Sequence, residues 1–178
     1  MKLILPSPNE TSDNIAIRAV EPSDLDAIID IWSPPNALAG TIRLPFTSRT
    51  QSRKRLEESW VDREGFTPIV AEKDGRVVAF AVLARGKGQR AHAADLGIGV
   101  HNDFQGQGIG KRLMAALVDL ADNWLSLKRL ELTVDTDNEP ALRLYKAFDF
   151  VIEGTSRAFI FRNGRYIDAF VMGRIRQE

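Results

Sequence analysis

The chain reads as one mixed α/β domain built around a sheet of about seven strands. Three observations predict this. Short segments with apolar residues at period two, or continuously apolar, recur between Ile15 and Met172. Two stretches with helical spacing, beginning near Ile109 and Asn138, are interleaved with them. Two dipeptides, Asp74-Gly75 and Asn163-Gly164, sit between strand-like runs as tight hairpin turns do. The predicted order is β-α-α-β-β-β-α-β-α-β-β, with no internal repeat and no linker after residue 14.

Each element has its own reason. Residues 1–14, with two prolines and several small polar residues, read as a loose arm, leaving 15–178 as the domain. Ile15 to Val20 alternates as a half-buried strand. Glu21-Pro22-Ser23-Asp24 opens a helix whose inner face is Leu25, Ile28, Ile29 and Trp32, and Ser33-Pro34-Pro35 stops it. An irregular stretch with Leu38, Ile42, Leu44, Pro45 and Phe46 leads to a polar helix from about Ser48 to Asp62. Pro68 to Glu72 and Val77 to Leu83 form the first hairpin, and Arg85 to Arg90 is a basic loop. Ala93 to Val100 reads as a buried strand, followed by a helix with Ile109, Leu113, Ala116, Leu117, Leu120 and Trp124 at helical spacing. Arg129 to Val134 alternates as a strand, Asn138 to Phe148 is helical, and Ala158 to Phe161 with Tyr166 to Met172 makes the last hairpin.

Composition excludes several classes. The 178 residues are 44% hydrophobic and 27% charged, and 24 acidic groups balance 24 basic ones, so no global field draws nucleic acid. No apolar run approaches the roughly 18 residues that span a bilayer. Met1-Lys2-Leu3-Ile4-Leu5-Pro6 is too short an apolar patch for a signal peptide, which makes the cytoplasm the default compartment. There is no cysteine, hence no disulfide, thiolate metal site or thiol nucleophile, and no other metal-binding pattern is apparent.

The richest stretch is Gln105-Gly106-Gln107-Gly108-Ile109-Gly110-Lys111, a glycine turn between a strand and a helix. The first turn of a helix carries unpaired N–H groups and the positive end of the helix dipole, which together bind phosphate. The dinucleotide pattern G-x-G-x-x-G fails because Lys111 takes its last glycine. The P-loop pattern fails because Gln105 takes its first glycine and Arg112 its hydroxyl. What remains, Gln-x-x-Gly-x-Gly, resembles the acyl-CoA pyrophosphate loop of the GCN5-related N-acetyltransferases (GNAT). Further along, Asn138-Glu139-Pro140-Ala141-Leu142-Arg143-Leu144-Tyr145-Lys146-Ala147-Phe148-Asp149-Phe150 resembles that family's second signature, N-x-x-A-x-x-x-Y-x-x-x-G-F. Asp149 stands where the family has glycine, at a helix end that calls for a left-handed backbone. The resemblance covers nearly all of 15–175 and is closer still to bacterial L-amino-acid N-acetyltransferases acting on phenylalanine and methionine. That closer likeness lies in Arg129–Val134, Asp137-Asn138, Ile152–Thr155 and Arg162–Ala169.

The resemblance implies a mostly antiparallel sheet flanked by about four helices and an acetyl-CoA co-substrate with no metal. Gln105, Gly106, Gln107, Gly108, Ile109, Gly110 and Lys111 are expected at the pyrophosphate, with Arg112 adding charge. The backbone of Ile98, Gly99 and Val100 is expected along the pantetheine arm, and Asn138 both at the cofactor and as a helix cap. Gly97 and Gly99 weaken that strand, as at a bulge or beside a ligand. Tyr145 is the implied proton donor to the leaving sulfur; with reference pKa values, full transfer to a thiolate is uphill by roughly 2 kcal/mol. For the base, Asp95, Glu131, His92 and His101 compete with a water chain. Leu44, Phe46 and Phe159 are candidates for an apolar substrate pocket, with Asp95 as a substrate-side residue. The expected substrate is a small amine, with no nucleic-acid or membrane partner, and a homodimer is compatible with the family. Two rivals stay open: acetylation of a protein N-terminus or amine-bearing toxin, and a silent acyl-CoA-binding module.

Overall fold

The computed structural model describes residues 14–33, 44, 46–60 and 64–177. Residues 1–13 of the predicted N-terminal arm, Leu38, Ile42 and Pro45 of the irregular stretch, and the end predicted for the second helix at Asp62 lie outside them. The elements run β1 (Ile15–Ala19), α1 (Leu25–Trp32), α2 (Arg49–Trp60), β2 (Phe66–Lys73), β3 (Arg76–Arg85), β4 (Ala93–Val100), α3 (Ile109–Asp119), β5 (Arg129–Asp135), α4 (Glu139–Lys146), β6 (Val151–Arg162) and β7 (Arg165–Ile175). This is the predicted order. One sheet holds all seven strands, in the order β1-β2-β3-β4-β5-β7-β6.

Local chemistry explains the joints. Before α1, the Asp24 carboxylate accepts the Glu21 N–H at 2.8 Å and caps the helix entry, while Pro22 supplies a pre-set φ. Asp74 and Gly75 both have positive φ, 51° and 76°, and Asn163 and Gly164 have 52° and 77°, the twist that joins antiparallel strands by two residues. Asp149 adopts φ 64°, so the aspartate takes the left-handed role of the family's glycine.

Every neighbouring pair in the sheet is antiparallel except β4 and β5. That parallel pairing lasts only from Ala93↔Arg129 to Asp95↔Glu131. Beyond it, Leu96 to Val100 pair only with β3, and Leu132 to Asp135 only with β7. The sheet therefore opens into a wedge at its centre.

Each face of the sheet has a core. On one, Ala79, Ala81, Leu83, Ala94, Leu96, Leu130 and Leu132 pack against Leu113, Met114 and Leu117 of α3 and against Tyr145 and Phe150. On the other, Leu25, Ile28, Ile29 and Ile31 of α1 pack with Leu56, Val70, Val77 and Phe80. The four α1 side chains are nearly or wholly removed from water, each stabilising by about 1.5–3 kcal/mol.

Three expectations change. Trp124 is 66% exposed, not on the inner face. The helix continues past α3 as a π-helical turn, Leu120–Trp124, in which Leu125 N–H reaches Leu120 O; the extra residue turns Trp124 outward and buries Ala121. Gly97 and Gly99 mark no bulge, since β3 and β4 stay in register throughout. The last hairpin is longer than predicted, and the bulges lie in β6 instead, between Ile152 and Gly154 and between Ser156 and Ile160. In the second, Ala158 takes φ 50° and its N–H is held by the Asp168 carboxylate at 2.7 Å.

The α1 entry carries a pH-dependent bond. Asp24, 6% exposed, receives both terminal nitrogens of Arg18, at 2.7 and 2.9 Å, and Arg18 also reaches Glu72. Hydrogen bonds from Arg18 hold the Asp24 carboxyl below its ordinary range, outweighing the effect of burial. A carboxyl depressed in the folded state adds stability above its unfolded pKa, and loses it as pH falls through the folded value. Asp24→Ala is expected to cost about 2–4 kcal/mol at pH 7. By urea denaturation at stepped pH, that difference should shrink steadily below about pH 4.

Candidate active site

The wedge between β4 and β5 is the mouth of a cavity of about 520 Å³. Its walls come from four places: Ile31 and Trp32 at the end of α1; Ile98, Gly99 and Val100 of β4; the glycine loop and start of α3; and the turn into α4, with Asn138, Leu144 and Tyr145. Arg162, at the tip of the β6–β7 hairpin, closes the remaining side with Asp137.

The glycine loop is shaped to offer donors. Gly106 and Gly108 have φ 73° and 77°, and a left-handed Gly108 is the cap of α3. Gln105 N–H is used by Asn102 O at 3.2 Å, and helical bonding resumes with Arg112 N–H on Gly108 O. Among the described residues, no acceptor meets the N–H groups of residues 106–111. Side chains hold the loop from below: Gln105 Nε2 donates to Val100 O at 3.3 Å and to Asn102 Oδ1 at 3.0 Å. Gln107 accepts from Lys73 Nζ at 2.8 Å and donates to Asp103 O at 3.1 Å. Gly110 lets α3 come close: a Cβ there would stand 3.3 Å from Leu144 and 3.8 Å from Val100.

Tyr145 is only 7% exposed, but its hydroxyl is not sealed in the core. It lines the cavity, and no buried side-chain polar atom among the described residues lacks a partner. Burial pushes its phenol up to about 12, so it is protonated throughout the physiological range. Asn138 caps α4 through its side-chain oxygen, which accepts Ala141 N–H at 3.3 Å. It also lines the cavity.

The sequence-predicted residues divide clearly. Ile98, Gly99, Val100, Gln105, Gly106, Gly108, Ile109, Gly110, Asn138 and Tyr145 meet at one cavity, while Gln107 and Lys111 belong to the same loop but are not part of its lining. Leu44 and Phe46 are 78% and 100% exposed, and Phe159 is 46% exposed; none of the three lines it. Asp95 lies outside the lining too, on the opposite face of β4 from Leu96 and Ile98. Partial desolvation pushes its carboxyl up, as does the neighbouring Glu131 charge, against the pull of Arg90. At Glu131, burial raises the carboxyl, but hydrogen bonds from Arg129 and Arg90 outweigh it and hold it low. His92 and His101 are also absent from the lining.

Sequence reasoning missed the charged pair. Arg162 donates to Asp135 at 2.8 Å and to both Asp137 oxygens at 2.9 and 3.0 Å. Among the described residues that line the cavity, Asp137 is the only carboxylate and Arg162 the only cation. Both lay in the segments that resemble the amino-acid acetyltransferases, but nothing local reveals that positions 25 residues apart meet.

These features coincide with clear relationships. Residues 25–150 match the Acetyltransferase (GNAT) family. The chain is 37% identical to the L-amino acid N-acetyltransferase AaaT of Escherichia coli over 163 residues, covering 91% of this chain and 98% of that one. It is 27% identical to the phosphinothricin N-acetyltransferase of Alcaligenes faecalis, over 89% and 81% of the two chains. Among solved structures, the ribosomal-protein-alanine N-acetyltransferase of Brucella melitensis superposes with a TM-score of 0.78 at 27% identity, covering 90% of this chain and 99% of that one. The protein belongs to the GNAT family of acetyltransferases. It is an N-acetyltransferase of that family.

One contact ties the cavity wall to the far core. A Cβ on Gly99 would overlap the ring of Phe80, which is 3% exposed and stacks edge-on against Trp32 at 4.5 Å. Gly99→Ala is expected to cost about 1–3 kcal/mol by overpacking. In a double-mutant cycle with Phe80→Leu, denaturation should show a coupling of about 1 kcal/mol or more that relieves this cost.

Proposed function

We propose that the protein transfers an acetyl group from acetyl-CoA to the α-amine of a free L-amino acid with an apolar side chain, phenylalanine or methionine, by direct attack in a ternary complex. The observation that carries this reading is the single cavity in which unpaired loop donors, an open strand edge and a protonated tyrosine converge. The likeness to the amino-acid acetyltransferase supports the acceptor class. So do the apolar side chains of Ile31, Trp32, Phe104 and Leu144 in the lining.

In this reading the N–H groups of residues 106–111 take the pyrophosphate, with Lys111 supplying charge beside it. Gln105 and Gln107 act chiefly by holding that loop in shape. The β4 edge at Ile98 to Val100, which β5 has left, offers strand-like hydrogen bonds to the amides of the pantetheine arm. Asn138 spends its oxygen on the α4 cap and keeps its NH₂ group for the donor molecule. Fitting both molecules at once is what the shared cavity offers direct transfer.

During the reaction a C–N bond forms and the C–S bond breaks. The amine gives up one proton and the departing sulfur gains one, so the count balances. Tyr145, which lines the cavity, is the group proposed to meet that sulfur. With its phenol pushed up to about 12 by burial, complete transfer to a thiolate is more uphill than the reference values imply. Tyr145 therefore works as a hydrogen-bond donor that strengthens as charge develops on sulfur, and transfer is completed only as the amine proton is released.

Because the chain has no cysteine, a thiol reagent reports only released coenzyme A. Release is expected with phenylalanine and methionine in a panel that also holds polyamines and short peptides. Tyr145→Phe should lower kcat by about 100-fold or more and change KM for acetyl-CoA by less than about 3-fold. Turnover that survives this change would remove Tyr145 from the mechanism. Reaction with peptides alone would move the acceptor to a protein N-terminus, and binding without turnover would favour a silent binder. The pH profile has a definite sign: kcat/KM should climb as the amine loses its proton, with no descending limb from Tyr145 below about pH 11.

A further inference from the structure

The charged pair at the cavity has a feature that a structural ion pair does not need. Arg162 is gripped at two places of unequal burial. Its side chain is 14% exposed and the Asp135 side chain 9%, whereas that of Asp137 is 39% exposed and lines the cavity. The inner bond, to Asp135, fixes the guanidinium at the end of β5. The outer one, to Asp137, faces the space where substrate must sit. Arg165 also reaches Asp137, at 3.5 Å, from the exposed side of the hairpin tip.

We infer that Arg162 and Asp137 are the recognition element for the zwitterionic head of the amino-acid substrate, Arg162 exchanging the Asp137 carboxylate for the substrate's α-carboxylate while Asp135 keeps it in place. This rests on the free amino-acid reading given above. The exchange replaces one carboxylate with another on the same guanidinium, so no buried charge is left unpaired at any stage. Asp137, released, still has Arg165 beside it and faces the incoming amine.

Charge counting sets the selectivity. Asp135, Asp137, Arg162 and Arg165 sum to zero, and a zwitterion adds zero. An amine without a carboxylate adds one positive charge and gives Arg162 nothing in exchange for Asp137. The site thus rejects amino-acid amides, simple amines and polyamines by the carboxylate they lack, not by their size. The direction of the N–H fork matters, so lysine is a poor replacement for Arg162.

The test compares three acceptors on the intact enzyme: phenylalanine, phenylalaninamide and phenethylamine. The wild-type enzyme is expected to favour phenylalanine in kcat/KM by about 100-fold or more over either of the others. Arg162→Gln should lose about 100-fold on phenylalanine, chiefly through KM, and less than about 5-fold on the amide, collapsing the preference. Arg162→Lys should fall between the two, with KM for acetyl-CoA changed by less than about 3-fold in both variants. The wild-type comparison needs no variant to fold. If wild-type enzyme takes phenylalanine and the amide equally, or if Arg162→Gln weakens both alike, the inference is overturned while the amino-acid reading stands. If no free amino acid reacts, the amino-acid reading itself has failed and this inference with it.

Discussion

Everything at the site depends on β4 and β5 parting company after three paired residues. A parallel pair that continued from Asp95↔Glu131 to the strand ends would close the space in which Ile98, Asn138 and Tyr145 now face one another. Parting leaves the outer half of β4 paired with β3 alone, so the edge turned towards β5 lacks a strand partner, a costly arrangement for a central strand unless something else satisfies it. The rest of the fold keeps the gap open at one end and shut at the other. At the shut end, the His92 carbonyl accepts the N–H groups of both Lys128 and Arg129, and Arg129 links Glu131 to Glu153 across three strands. At the open end, α3 and α4 occupy the wedge from one face, with Gly110 allowing them to meet.

Charge is used differently at the two ends. Around Glu131 it closes the base of the wedge on the outer face of the sheet, where arginines hold the carboxylates of Glu131 and Glu153 below their ordinary range. Around Arg162 a similar set of groups stands at the cavity itself. Tyr145, on the same cavity wall, is perturbed by burial alone. An uncharged donor needs no counter-ion and stays protonated over the whole working pH range, which suits the role proposed for Tyr145.

Most of the framework was legible because it rests on local rules. Hairpin dipeptides, the proline-led entry of α1 and the glycine turn before α3 each specify a backbone shape within a few residues, and each appeared where expected. That the residues proposed for acetyl-CoA gather at one cavity has the same origin, since they lie in two contiguous motifs. What escaped was non-local. The Arg162–Asp137 contact depends on where a hairpin tip lands beside a loop from another strand. Leu44 and Phe46 looked like pocket residues because they are apolar in an irregular stretch, yet they are exposed, and Ile31 and Trp32 of α1 take the wall instead. Asp95 was chosen for its strand, but alternation along that strand sends it to the other face.

The π-helical turn after α3 has a bearing on how that helix is anchored. Such a turn is what remains when a helix accepts one extra residue without unwinding. Here its far end is docked by Asp122, whose carboxylate holds Arg174 at 2.7 and 2.9 Å and whose carbonyl accepts from Arg176 at 2.6 Å. Its near end joins α3, whose opposite end starts at the glycine loop. The wider turn thus links a helix that begins at the cavity to a segment pinned by Arg174 and Arg176 at the far end of the sheet.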